Sequence, residues 1–172
     1  DIATADLAAV RAEMARRIMA LNRLPDSEST LANIDPSQID VVAFPEPWRF
    51  KLDLDDQGVR EGWFKPTCNV SDWRPIRTDL NTGWDTQGFG REIPAYGWYR
   101  AQVPVGDGGS NRKFFYLHFG AADEQAWVYL NGREIFEHSA RSTGLTPHNL
   151  WLLPFSASLD ATLNRSEPNV LV

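Results

Sequence analysis

The 172-residue sequence holds one cysteine, Cys68, so no internal disulfide can staple the fold, and one thiol says almost nothing about redox compartment. No stretch approaches the roughly 18 consecutive apolar residues of a membrane span. The N-terminus lacks a charged-then-apolar signal pattern. No basic run is present, and 17 Lys+Arg against 23 Asp+Glu give a net charge of -6, which makes nucleic acid a poor partner. Recognisable catalytic motifs are missing as well: there is no G-x-S-x-G, H-E-x-x-H, C-x-x-C or G-x-x-x-x-G-K-[ST]. The Gly-rich run from Gly106 to Asn111 lies between two expected strands rather than ahead of a helix, so it reads as a hairpin loop and not a phosphate cradle. Asp53 to Gly58 begins like a calcium loop, but its twelfth position is Phe64 where a bidentate Glu is needed. His118, His138 and His148 lack the short paired spacing of a metal site. These absences leave a soluble chain with no metal, no cofactor and no intrinsic catalysis expected. Its length, at roughly 150 residues per domain, leaves room for one domain and an appendage. Beginning at Asp1 and stopping in Val170-Leu171-Val172, it reads as an excised or processed piece.

What is abundant is aromatic surface, 12% of residues, including seven Trp. Such side chains fill the core of a small β domain, and an exposed indole face can equally meet the C–H face of a sugar ring. The first part of the chain differs. Residues 3–24 contain no Gly or Pro and are rich in Ala, Leu, Met and Arg, which predicts a helix. Leu7, Val10, Met14, Ile18 and Leu21 recur at spacings of three and four, giving one apolar stripe that needs a partner. Pro25 stops the helix, and the polar segment 25–45, punctuated by Pro36 and Pro45, reads as a linker. The expected organisation is a helical tail or docking helix over 1–24, a linker over 25–45 and a β domain over 46–172.

From Trp48 onward, short β-branched and aromatic runs alternate with turn clusters, the texture of an all-β sandwich or barrel. Strands are expected at 48–54, 98–105, 113–119, 126–130, 133–137 and 169–172. Asn131-Gly132 is the strongest hairpin signal among them. The expected core is Phe50, Leu52, Trp98, Phe115, Leu117, Phe119, Val128, Leu130, Ile135, Phe155 and Val170.

Four motif segments in this region carry a family likeness. They are Trp48-x-Phe50-x-x-Asp53 with Gly62-Trp63 and Ser71-Asp72-Trp73-Arg74-Pro75-Ile76; Trp84-Asp85-Thr86-Gln87-Gly88 leading to Gly97-Trp98-Tyr99-Arg100; Phe119 through Asp123 and Ala126 to Asn131-Gly132; and Trp151-x-x-Pro154-Phe155 with Asn169-x-Leu171. Together they resemble the N-terminal sugar-binding jelly-roll domain of glycoside hydrolase family 2, the β-galactosidases and β-glucuronidases, within the galactose-binding-domain-like fold. The resemblance covers about residues 46 to 172. It implies an antiparallel jelly-roll β-sandwich that breaks no bond, the family's catalytic acids lying in a separate barrel domain. It also implies an exported protein, secreted or periplasmic, whose partners are an oligo- or polysaccharide and a neighbouring catalytic domain.

Within that frame, Arg100 is expected to pair with Asp123 across the sheets, because a half-buried guanidinium needs a carboxylate. Asn131 and Gly132 supply the positive φ angles of the hairpin, and Trp73 and Trp151 are expected as plugs at the sandwich edges. Trp84, Asp85, Gln87, Tyr96, Glu124, Trp127, His138 and Arg141 fall in loops or on outward faces. They are the candidate carbohydrate-binding residues, aromatic platforms and polar groups able to meet a ring and its hydroxyls. Two readings follow: a carbohydrate-binding ancillary module of a larger glycoside hydrolase, or a structural module that braces a neighbouring domain or subunit interface without binding sugar.

Overall fold

The structure, a computed structural model, describes residues 9, 12, 40–80, 82–90, 95–104, 114–151 and 153–172. The chain divides into two compact units, Asp1–Ala43 and Phe44–Val172. In the first, Ala9 and Ala12 are helical. The apolar stripe expected on that helix, the linker up to residue 39 and the Gly106–Asn111 loop lie outside the described residues.

The second unit is an antiparallel β-sandwich. Its strands are β1 (Trp48–Asp53), β2 (Arg74–Ile76), β3 (Tyr96–Gln102), β4 (Tyr116–Phe119), β5 (Ala126–Leu130), β6 (Arg133–His138), β7 (Phe155–Ser158) and β8 (Val170–Leu171). Six form one sheet in the order β2-β1-β3-β8-β5-β6, and β4 pairs with β7. Period-two alternation sorts the side chains. Along β1, Trp48 and Phe50 are buried on the inner face and Arg49 and Lys51 point to the outer one. Phe50 meets Tyr99 of β3 edge-on at 4.8 Å and Phe89 at 4.5 Å. From the small sheet, Leu117 and Phe155 close over Val128, Leu130 and Leu171 in one core cluster, and Phe155 stacks on Phe136.

The expected core holds for Phe50, Leu117, Val128, Leu130 and Phe155, which are buried, and Leu52, Phe115, Phe119 and Ile135 pack against them. Trp98 and Val170 do not belong to it. Their places on the pleat turn them to the outer face, and Leu171 fills the core from β8 instead. Trp73 is buried, whereas Trp151, expected as a plug, is 41% exposed at the end of the short helix Pro147–Leu150.

The outer face is covered by the excursion between β1 and β2. The turn of helix Gly58–Glu61 ends at Gly62 with φ 70°. Trp63 then packs edge-on against Trp98 at 5.9 Å and Trp73 at 6.1 Å, and Phe64 stacks on Tyr129 at 4.9 Å. At Gly58, a Cβ would sit 2.3 Å from the Trp98 ring, so only glycine lets the helix lie this close to the sheet.

Candidate functional site

Polar groups on the outer face fall into an interior set and an exposed set. Asp53 anchors the first. At 3% exposure its carboxylate accepts the N–H groups of Gln57 (2.9 Å) and Gly58 (2.8 Å) and the Trp98 indole N–H (3.0 Å). Burial alone would raise its pKa, but these donors outweigh it and hold the carboxyl below the ordinary value of 3.8. A carboxylate so enclosed and so fully bonded is a clamp, not a proton donor. Arg100 is the second interior charge, and here the expected pairing is corrected. Its guanidinium donates to the backbone carbonyls of Lys65 (3.0 Å) and Pro66 (2.7 Å), not to Asp123. The reason is the pleat. Arg100 shares the outer face with Trp98, while Asp123 acts on Tyr99, which points the other way; burial and then the Asp123 charge push the Tyr99 phenol up to about 12.

The hairpin β5–β6 carries the exposed set. Asn131 (φ 53°) and Gly132 (φ 84°) make its turn, and the Asn131 side chain donates to Thr162 O and accepts from Val170 N–H, tying β8 to the hairpin. A β-bulge between Val128 and Tyr129 sets Trp127 opposite Glu137. Trp127 also meets Tyr96, itself 47% exposed, edge-on at 6.2 Å. Arg141 donates Nε to Glu137 Oε1 at 3.0 Å and its Nη2 to Oε2, and the Ser139 hydroxyl donates to the same carboxylate. The Arg141 guanidinium, helped by Ser139, holds Glu137 below the usual carboxylate range and is itself raised. The outer face of the sheet therefore presents, over β3 and β5, an aromatic pair next to a fixed carboxylate whose guanidinium partner still has free donors.

Of the candidate residues, Tyr96, Trp127 and Arg141 come together there. Glu137 joins them, and sequence reasoning missed it. Counting back from Asn131-Gly132 without a bulge places Phe136 opposite Trp127; only the extra residue brings Glu137 into register. The other candidates are dispersed. Trp84 packs on Phe50 at 5.8 Å, on the inner side of the sheet, so it shares no concavity with Tyr96 and Trp127. Gln87 is occupied by β2, accepting from Arg77 N–H and donating to Arg77 O. His138, expected in a loop or on an outward face, is 5% exposed and stacks on Phe155 at 4.3 Å, because the bulge turns it to the core side with Phe136. Asp85 is exposed in a single 3-10 turn, and Asp123 and Glu124 are exposed in the loop before β5.

Shallow concavities lie elsewhere: one of about 330 Å³ is lined by Glu46, Ile76, Arg77 and Gln87, and one of about 420 Å³ by Asn131, Thr162, Asn164 and Glu167. The Thr162 hydroxyl at the second is buried without a partner. Among the described residues, no helix is long and apolar enough to cross a membrane.

No protein-family model matches this sequence, and no curated protein matches it. Solved structures do. The β-glucuronidase of Ruminococcus gnavus is 20% identical with a TM-score of 0.51, over 73% of this chain and 19% of that one. In complex with D-glucuronic acid, the same enzyme gives 0.52 over 75% of this chain and 20% of its own. Bacteroides uniformis β-glucuronidase 2, covalently bound to cyclophellitol-6-carboxylate aziridine, is 24% identical with a TM-score of 0.53, over 73% of this chain and 13% of that one. The chain thus spans a fifth or less of these enzymes' length, and what it shares with them is an antiparallel β-sandwich fold.

Proposed function

We propose that residues 46–172 are an ancillary, non-catalytic jelly-roll module of a larger glycoside hydrolase of family 2, and that it meets carbohydrate at the Tyr96–Trp127 pair on the outer face of the sheet. The short coverage of the β-glucuronidases supports a part rather than a whole enzyme. The observation that carries the sugar contact is the Tyr96–Trp127 pair beside Glu137 and Arg141. An aromatic face takes the C–H side of a pyranose ring, and the carboxylate and guanidinium take its hydroxyls. A single aromatic pair on the sheet face supplies few contacts, so binding is weak for one sugar unit. Catalysis belongs to a neighbouring domain, and export of the whole enzyme fits a polymer substrate.

The test is a glycan array on the whole chain, followed by calorimetric titration of the hits. Binding to a defined sugar is expected, with Trp127→Ala reducing affinity by about tenfold, the share of one stacking contact at roughly 1.4 kcal/mol. Absence of binding to any glycan at millimolar concentration would overturn the sugar contact and leave the bracing role. One observation favours that second reading: Leu145, Trp151 and Leu153, around the helix Pro147–Leu150, are each about 40% exposed and offer apolar surface to a neighbouring domain.

A further inference from the structure

The charges beside the Tyr96–Trp127 pair are unequal. Register sets Trp127 opposite Glu137 and Tyr129 opposite Glu134, so both carboxylates rise from β6 on the outer face, next to the rings of β5. One guanidinium answers them. Arg141 closes a two-pronged pair with Glu137, Nε on Oε1 and Nη2 on Oε2, and that pair is neutral as a unit. Glu134 is exposed and is the surplus charge of the group. Its neighbour Tyr129 is a phenol, pushed up to about 12 by burial first and then by the charge of Glu134, the bond to it and the charge of Glu137. A neutral phenol cannot cancel a carboxylate.

The basic side chains that β1 and β3 turn to this face are already occupied. Arg49 donates to Trp73 O at 3.3 Å, Lys51 holds Asp72 at 2.8 Å, and Arg100 is buried on the carbonyls of Lys65 and Pro66. The rings do not favour an anion either. Tyr96 and Trp127 meet at 66°, so the positive rim of one ring is spent inside the pair and a ligand meets ring face, the negative side of the quadrupole. The donors left on Arg141 suit an acceptor that brings no charge of its own, such as a hydroxyl. The Glu137 side chain is only 15% exposed, so opening the fork to serve an incoming anion would leave a largely covered carboxylate with the Ser139 hydroxyl alone.

We infer that this surface selects sugars that carry no acidic group and rejects a uronate of the same ring shape. The inference rests on the sugar contact proposed above and adds to it the charge class of the ligand. Selection works by repulsion. A carboxylate placed at hydrogen-bond distance from Arg141 also stands beside Glu137, and Glu134 adds a charge that no second guanidinium offsets among the described residues.

The experiment titrates the whole chain calorimetrically with two matched pairs of ligands. They are the methyl β-glycosides of glucose and glucuronic acid, and those of galactose and galacturonic acid, which differ within each pair only at C6. At least one neutral member is expected to bind, with its uronate at least about tenfold weaker at low salt and the gap narrowing as ionic strength rises. The ratio of neutral to uronate affinity is then read in two variants. Glu137→Gln frees the Arg141 guanidinium and removes one negative charge, and is expected to lower the ratio by about tenfold. Glu134→Gln, on an exposed residue, is expected to lower it by about threefold and keeps the test should Glu137→Gln misfold. A uronate that binds as well as its neutral partner or better, or a ratio that neither variant lowers, would overturn the charge selection and leave the sugar contact standing. Binding by none of the four would overturn the selection too, and the glycan array then decides whether the sugar contact falls with it.

Discussion

The two faces of the six-stranded sheet are covered by different physics. On the inner face, Phe50, Leu130, Leu171 and Phe155 interlock with almost no polar atoms, and the face is specified by volume. On the outer face, the covering excursion is held by Asp53 and Arg100, two buried charges that use backbone groups of that excursion as partners: the N–H groups of Gln57 and Gly58, and the carbonyls of Lys65 and Pro66. Apolar packing tolerates several arrangements of similar volume, whereas a charge bonded to particular peptide groups admits one. The inner face therefore supplies most of the stability, and the outer face decides where the Trp63 excursion sits.

That contrast can be broken from the inside first. Phe50→Ala removes a ring with three aromatic neighbours and is expected to cost about 3–5 kcal/mol in urea unfolding; a loss under ~1 kcal/mol would mean the inner face is loosely packed. Asp53→Asn is expected to cost less, about 2 kcal/mol, by misfitting three donors. It also has a pH signature. The folded pKa of Asp53 lies below its unfolded value, so its contribution is complete above about pH 4 and is lost as pH falls through the folded value. Unfolding measured from pH 2 to 7 should show a shallower acid decline in Asp53→Asn than in the parent, and parallel curves would remove Asp53 from the account. The smallest effect belongs to the periphery. Lys51 and Asp72 pair at 2.8 Å but in water, so Asp72→Asn is expected to leave the denaturant midpoint unmoved.

Sequence and structure agree where one side chain carries its own signal. β1 is legible because Trp48, Phe50 and Leu52 alternate with charged residues, and β5–β6 because Asn131-Gly132 demands a tight turn. β2 and β7 escape notice for opposite reasons. Arg74-Pro75-Ile76 contains a proline that an edge strand tolerates, and Phe155-Ser-Ala-Ser158 lacks the β-branched residues that mark a strand. The partners of Arg100 left no trace in residue types because they are carbonyl groups, which every residue possesses. The candidate site was half legible: Tyr96, Trp127 and Arg141 could be found as outward-facing polar and aromatic residues, but Trp84 and His138 are of the same types and serve packing. Glu137 depended on a bulge that residue counting does not reveal.

The bulge at Val128/Tyr129 behaves as a frame-setting device. Upstream and downstream of it, the two strands of the hairpin are read in different phases, and Ile135 is the residue that absorbs the offset. Deleting Ile135 would remove the offset and restore simple counting, and because Phe136 and Glu137 already lie beyond it, they would stay opposite Val128 and Trp127. A single-residue change in length would thus erase the device while leaving its product, a carboxylate facing Trp127, in place.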